Sequence, residues 1–575
     1  MNGKVIGKVS ATESSPSTTE EFYFWTKETE VLSPFDIVKV EQLSGKEGES
    51  TITYAVIEEI NHITDSHSHF AAYISSDFGN TTAEKVGSMD RLGMNYIKAH
   101  IVCNTGDIYM PVLNGKFVYL CDVEDIQVAL GLKDVKNPIV SGYLEMYKGE
   151  DKQIVRVDLN SKFLIGPDGA HLNVSGISGL AAKTSYSMFL LNAIQQKLCI
   201  MDDADKVNSD KQNIAFVFFN VKGRDLLAID QKNDELEGKE LEKQMNLYTE
   251  TLGLKFEPFK NVTYYYPDDS RTDSGISSYT LKADYEKQAK KGIAYKYYTP
   301  YESNQDKLDL VLAQEDDSSH TMESCLSHIM EKQENFSNIQ SWETLKREIR
   351  NRATNGANFQ HSEILTSSWK KFLRIINKNI NEDTIFNDSP SENGDKKDLK
   401  DVIFNELKGG DVKVIDIARL DDNTQSFVFA SVIRDIYDMK FLGQRENGIK
   451  IPDKVIIFVD ELNKFASTDI PKDSPILRQL LDITERGRSQ GIILFSIEQF
   501  RSAIVDRVEG NCATAAYGRT NATEISKPVY RFIPPTFKNK MTRLPQGEYI
   551  LANPALSTLI NVKFPMNIYK QYKNG

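Results

Sequence analysis

At 575 residues the chain is too long for one ordinary hydrophobic core, so roughly two to four domains are expected. Its 40% hydrophobic and 26% charged content is that of a normal globular protein, and no apolar run approaches the roughly 20 residues that span a bilayer. The net charge of −13 excludes a protein that coats nucleic acid with its whole surface, and the polar start MNGKVIGKVSATESS lacks the apolar core of a signal peptide, so a cytoplasmic protein with no membrane partner is expected.

Residues 4–60 read as short strands. VIGKV, FYFWT, DIVKVEQL and TITYAVIEEI are rich in β-formers, and SATESSPSTTEE and SGKEGES separate them, which suggests a small barrel. NHITDSHSHF (61–70) brings His62, Asp65, His67 and His69 together. Their spacing matches no usual zinc pattern, so a solvated turn is expected rather than a metal site. The five cysteines, Cys103, Cys121, Cys199, Cys325 and Cys512, form no CxxC pair and read as free thiols.

From Lys162 the pattern becomes α/β. FLIG and HLNVSG are strand-like, and a helix is expected over Thr184–Gln196. IAFVFFNV (214–221), VKVIDI (412–417), KVIIFVD (454–460) and GIILFSI (491–497) are apolar enough for a parallel sheet covered on both faces. GIAYKYYTPYE (292–302) reads as a tyrosine-rich β-element on the core, with base stacking as the alternative. HTMESCLSHIMEKQ and SWETLKREIRNRA carry helical spacing, a helical insertion; NDSPSENGDKKDLKD (387–401) reads as a flexible polar loop. From Ile525 onward Lys527, Arg531, Lys538, Lys540, Arg543, Lys563, Lys570 and Lys573 face Glu548 alone, a local +7 that leaves −20 elsewhere. This permits either a basic channel within an acidic shell or a solvated basic tail.

VSGISGLAAKTSYS (174–187) approaches the phosphate-loop pattern G-x-x-x-x-G-K-[ST]. Lys183 and Thr184 are in place, but Ala182 replaces the last glycine and Gly176 lies one position too early. A methyl at 182 fits if its φ is negative. A phosphate cradle would be built from Gly176, Ser178, Gly179, Lys183, Thr184 and Ser185, with the N-terminus of the following helix facing the anion. Far downstream, the apolar run Val455–Val459 ends in Asp460-Glu461. A carboxylate there costs several kcal/mol unless it meets a cation or donors; the alternative is a strand that simply ends in a polar turn. GIILFSI is followed by Glu498-Gln499, where Gln499 could sense the terminal phosphate. Arg486 and Arg488, in TERGRSQG, are either surface residues or a source of positive charge for a neighbour's nucleotide.

Together these segments resemble the HerA/FtsK branch of RecA-like ATPases, and HerA most closely. IGKV, YAVIEEI and YISSDFG look like the small N-terminal barrel. FLIGPDGAHLNVSGISG, VIIFVDELNKF and ERGRSQGIILFSIEQ resemble the lead-in to the loop, the acid strand, and the arginine-and-sensor segment. LPQGEYILANPALSTLINVKFP resembles the closing strands. FFNVKGRD (218–225) sits where the family has an acidic turn, with Asn220 and Arg224 in place of acids. The resemblance implies an α/β, RecA-like P-loop ATPase with an N-terminal small β-barrel and a helical insertion. The expected segments are 1–160 (barrel and connector), 161–298 and 401–575 (core, with closing strands and tail), and 299–400 (insertion). It implies a homo-hexamer with ATP at subunit interfaces, a pore for duplex DNA, and translocation driven by hydrolysis. Lys183 would contact phosphates, Thr184 and Asp460 would hold Mg2+, Glu461 would be the catalytic base, Gln499 the sensor, and Arg488, with Arg486 as second candidate, the finger offered to a neighbour. It also implies an effector partner, a nuclease or a sirtuin-type NADase, with anti-phage defence favoured. The competing expectation is a ring scaffold that binds ATP, hydrolyses little and organises an effector.

Overall fold

The computed structural model describes residues 3–43, 50–75, 93–133, 135–179, 182–201, 211–312, 321–355, 364–390, 394–471 and 474–572. Two compact units result. One comprises residues 1–159, 530–544 and 548–564; the other comprises 160–529, 545–547 and 565–575.

In the first unit, β1 (Val5–Val9), β2 (Glu21–Thr26), β3 (Ile37–Leu43), β4 (Ser50–Thr64), β5 (Gly93–Asn104) and β6 (Phe117–Leu120) close an antiparallel barrel in the order β1-β2-β5-β4-β3-β6. The expected small barrel is therefore present, and closure removes its sheet edges. A Cβ at Gly7 would stand 2.1 Å from the Trp25 carbonyl oxygen, so only glycine allows β1 to approach β2 there. The helix Val123–Leu130 carries a reciprocal capping box between Asp122 and Asp125. Asp125 also pairs with buried Lys39 and accepts from the Tyr54 hydroxyl at 2.8 Å, which satisfies a charge placed against the barrel core. β7 (Pro138–Met146) and β8 (Gln153–Asn160) follow.

The histidine cluster is not a turn throughout. β4 runs through His62 to Thr64, and His69 opens the short helix His69–Ser75. Among the described residues no group of three or more His, Cys, Asp or Glu could hold a metal ion. Most of YISSDFG lies outside the described residues. No disulfide joins the cysteines among the described residues.

The second unit is built on a parallel sheet. Its strands are β9 (Leu172–Ser175), β10 (Ile214–Asn220), β11 (Val262–Pro267), β12 (Ala294–Tyr298), β13 (Lys396–Asp398), β14 (Val412–Asp416), β15 (Lys454–Val459), β16 (Ile492–Glu498) and β17 (Thr514–Tyr517). Their order is β13-β12-β11-β14-β10-β15-β16-β9-β17, and the pairings are parallel. The loop strand β9 and the acid strand β15 are thus separated by one strand, β16, which is the RecA-like arrangement. β10 and β16 are buried at every position, as their largely apolar sequences require; Asn220, Ser496 and Glu498 are the polar residues buried with them. Late in the chain β18 (Glu548–Ala552) and β19 (Ile560–Lys563) pair antiparallel and belong to the first unit, where β19 lies against β7.

FLIG is not a strand. Ser161–Phe163 forms a 3-10 turn, and Ile165 makes only a single bridge to Ala170. The segment 387–401 is not wholly loop either: Lys396–Asp398 adds β13 to the sheet edge, where its lysines protect an exposed ladder. The tyrosine-rich segment does form a core strand, β12, with Tyr297 fully buried.

The helical insertion is present in Thr321–Met330, Trp342–Asn355 and Thr366–Asn379. Trp342 and Trp369 are its largest buried side chains, and the Trp342 indole N–H donates to the Thr299 carbonyl at 2.8 Å. The long helix Asp422–Leu442 starts at Asp421, whose carboxylate accepts from the Thr424 amide, and ends at Gly443 with φ 72°. Along it, Asp435 meets Lys307 at 2.6 Å, with exposures of 1% and 0%. Removing one member strands a buried charge. Asp435→Ala should therefore cost about 3–5 kcal/mol in denaturant unfolding, and replacing both residues by leucine and methionine should recover most of it.

Candidate nucleotide site

β9 ends at Ser175, and the chain turns through Gly176 (φ 151°) and Gly179 (φ 77°), conformations that favour glycine. The helix Lys183–Leu198 follows, one residue earlier than expected. Its N-cap is Ala182 at φ 47°, with no side-chain cap. The condition of a negative φ is therefore not met. The methyl group sits in the left-handed region at a cost of about 1–2 kcal/mol, which a glycine at this position avoids.

Lys183 is buried, with 8% exposure, and its ammonium donates to the Gly176 carbonyl at 2.8 Å and lies 3.5 Å from the Ser178 hydroxyl. Burial lowers its pKa, against the opposing charges of Asp460, Glu498 and Glu461. Thr184 reaches across the sheet. Its hydroxyl donates to Asp460 Oδ2 at 2.9 Å, over a sequence separation of 276 residues. Burial pushes Asp460 up, while Thr184 and Lys183 pull it down. The structure thus brings Gly176, Ser178, Gly179, Lys183, Thr184 and Asp460 to one end of the sheet. The Ser185 hydroxyl is engaged elsewhere, accepting from the Asn567 side-chain amide at 2.9 Å.

Glu461 follows directly, with φ 61° and its carboxylate 3.3 Å from the Lys222 ammonium. Lys222 stands in the turn after β10. Asn220 shapes that turn by donating to the Gly223 carbonyl at 3.0 Å and to Asp416 at 2.8 Å. Arg224 is drawn away, 4.7 Å over the Tyr572 ring. Asp225 is pushed up to about 6 by burial and by Asp460.

At the end of β16, Glu498 pairs in register with Ser175 and is 0% exposed, while Gln499 is half-buried. Neither oxygen of Glu498 accepts a hydrogen bond of good geometry among the described residues, although the Asn173 side chain lies near enough to favour its charged form. Burial pushes its carboxyl up to about 8, with Arg501 and Lys183 the main opposing charges. Arg486 and Arg488 lie at the other end of β16, about 20 Å away along the strand. Arg488 donates to the Asp168 carbonyl at 3.0 Å and Arg486 lies 3.8 Å from Asp482. Within one chain neither reaches the loop.

Sequence reasoning did not single out Lys222, Asp225 or Glu498. Glu498 was visible as the acid before Gln499, but a strand's alternation decides its surroundings only once the register is known. Lys222 carries no pattern that marks it.

An oxygen donor set of a threonine hydroxyl and an aspartate, beside a lysine and a helix N-terminus, suits Mg2+ with a nucleoside triphosphate. No family model and no curated protein matches the chain. Solved structures do show likenesses. The unbound bacterial conjugative coupling protein TrwB shares 10% identity over 70% of this chain and 88% of that one, with a TM-score of 0.40. The genome packaging NTPase B204 from Sulfolobus turreted icosahedral virus 2, in complex with ATP-gammaS, shares 15% over 29% and 71%, at 0.22. ATPases 2 and 3 of EssC from Geobacillus thermodenitrificans share 9% over 76% and 46%, at 0.27. The RecA-like assignment rests on the strand order and the loop.

Two outcomes follow. Ala182→Gly should bind ATP at least as tightly as the wild type, and Ala182→Val, β-branched at positive φ, should lose about tenfold or more by calorimetry. Glu498 binds its proton more tightly folded than unfolded, so its contribution to stability falls as pH rises from 4.5 to about 8. In nucleotide-free protein, Glu498→Gln should flatten the melting-temperature profile across that window relative to wild type; parallel profiles would refute the assignment.

Proposed function

We propose that the chain is an ATP-hydrolysing motor of the HerA type, a hexameric DNA translocase that works with an effector protein. The observation that carries the reading is the 2.9 Å hydrogen bond between Thr184 and Asp460, which joins the loop to the acid strand. Lys183 and the first turn of its helix hold the triphosphate, and Thr184 and Asp460 hold Mg2+. Bound there, Mg2+ would supply positive charge to offset the negative charge that develops on the phosphates. Glu461, next along the chain, orients and polarises the attacking water, and Gln499 senses the terminal phosphate.

Arg486 and Arg488 are remote from their own loop, so a role in hydrolysis requires a neighbouring subunit. That need supports a ring in which Arg488 completes the adjacent site. Duplex DNA as the ligand is supported by Arg531, Lys538 and Arg543, which form no ion pair among the described residues. By contrast, Lys540, Lys563 and Lys570 pair with Glu548, Glu145 and Asp234. Lys573 lies outside the described residues. The effector reading, a nuclease or sirtuin-type NADase in anti-phage defence, is inherited from the family resemblance.

A second reading is favoured by the state of the site. Lys183 is turned onto Gly176, and Glu461 is held by Lys222. A ring that binds ATP, hydrolyses little and organises an effector has that geometry at rest and keeps it.

Turnover decides between them. The motor predicts ATP hydrolysis that duplex DNA stimulates, with Glu461→Gln losing about a hundredfold or more in kcat while still binding ATP. Binding with no turnover under any condition favours the scaffold. Solution mass with and without ATP should show a hexamer, and a nucleotide-independent monomer would contradict the ring.

A further inference from the structure

Two arginines lie close to the loop, and they differ in what they do. The Arg501 guanidinium is consumed locally: it stacks 4.9 Å over Tyr517, lies 3.4 Å from the Asn173 side-chain amide oxygen and pairs with Glu509. Arg519 is not. β17 runs parallel to β9 with Tyr517 beside Ser175, and the ladder continues past both strand ends. The Gly518 amide donates to the Ser175 carbonyl at 2.8 Å, and the Ile177 amide donates to the Arg519 carbonyl at 2.8 Å. Residue 519 is thereby fixed one strand spacing, about 4.8 Å, from the Gly176–Ile177 turn. Its half-buried side chain has no hydrogen bond or ion pair among the described residues. A guanidinium offers five donors, and with no partner among the described residues they are free to meet an anion held at the neighbouring turn.

The sheet order also tells which end of the ligand it meets. Thr184 and Asp460 lie on the β16–β15 side of β9, so a metal they held, with the β- and γ-phosphates it accompanies, would fall on that side. β17 flanks β9 on the opposite side. We propose that Arg519 binds the α-phosphate and ribose end of the nucleotide, on the flank away from the metal. This rests on the loop being a nucleotide site. Arg519 then grips ADP and ATP alike, so it contributes uniform binding rather than transition-state stabilisation.

Calorimetry on the full chain with ADP, ATP and inorganic pyrophosphate tests this. Arg519→Ala should weaken ADP and ATP by the same factor, about tenfold or more, and leave pyrophosphate unchanged. Arg519→Lys should restore part of the loss. In steady-state hydrolysis KM should rise while kcat holds. Unchanged ADP affinity, a loss confined to ATP, or an equal loss for pyrophosphate would each overturn the assignment. Wild-type protein that binds no nucleotide would remove the site itself and Arg519's role with it, whereas wild-type binding unaffected by Arg519→Ala removes Arg519's role alone.

Discussion

The hydrogen bond from Thr184 to Asp460 is the constraint on which the rest of the site depends. It forms only if β9 and β15 are parallel, end at the same level and have one strand between them. The registers of β16 with both neighbours fix that level to within a residue. Shifting either pairing by one position would turn the side chains to the opposite face and separate the pair. The fully buried apolar runs of β10, β15 and β16 therefore serve chemistry at one remove: they hold two polar groups from distant parts of the chain at one edge.

That edge collects charge at a cost. Burial lowers the pKa of Lys183 and raises those of Asp460 and Glu498, so it disfavours the charged form of each. A bound metal and triphosphate would relieve much of this. Lys183 would exchange a carbonyl for phosphate oxygens, and Asp460 would gain a cation. Glu461 is poised differently, strained in backbone and tied to Lys222 from the neighbouring strand's turn. The site's groups are thus brought together in position, which is what the proposed nucleotide reading requires of them.

Much of the architecture could be read from the chain. Continuous apolar runs gave away the parallel strands, and strand-turn-helix punctuation around Gly176 and Lys183 located the loop. The barrel was legible from short β-rich segments, although the reach of β4 through His62 was not, because polar residues there sit on an exposed hairpin rather than a turn. β13 escaped notice because edge strands tolerate lysines that a pattern search takes for loop. Ala182 was left open for a different reason: sequence names the residue, but only tertiary closure sets its φ. Lys222 and Glu498 gain their surroundings from neighbouring strands, information that no local window contains.

The proposed reading requires the loop and the acid strand to form a single Mg2+-nucleotide site. A double-mutant cycle with Thr184→Ala and Asp460→Asn, read by calorimetric ATP binding with and without Mg2+, tests it most directly. Mg2+ should tighten ATP binding in the wild type, either substitution should remove most of this effect, and the double variant should lose little more than the singles. Additive losses, or a Mg2+ effect that survives both substitutions, would show that the two residues do not share a metal and would contradict the account.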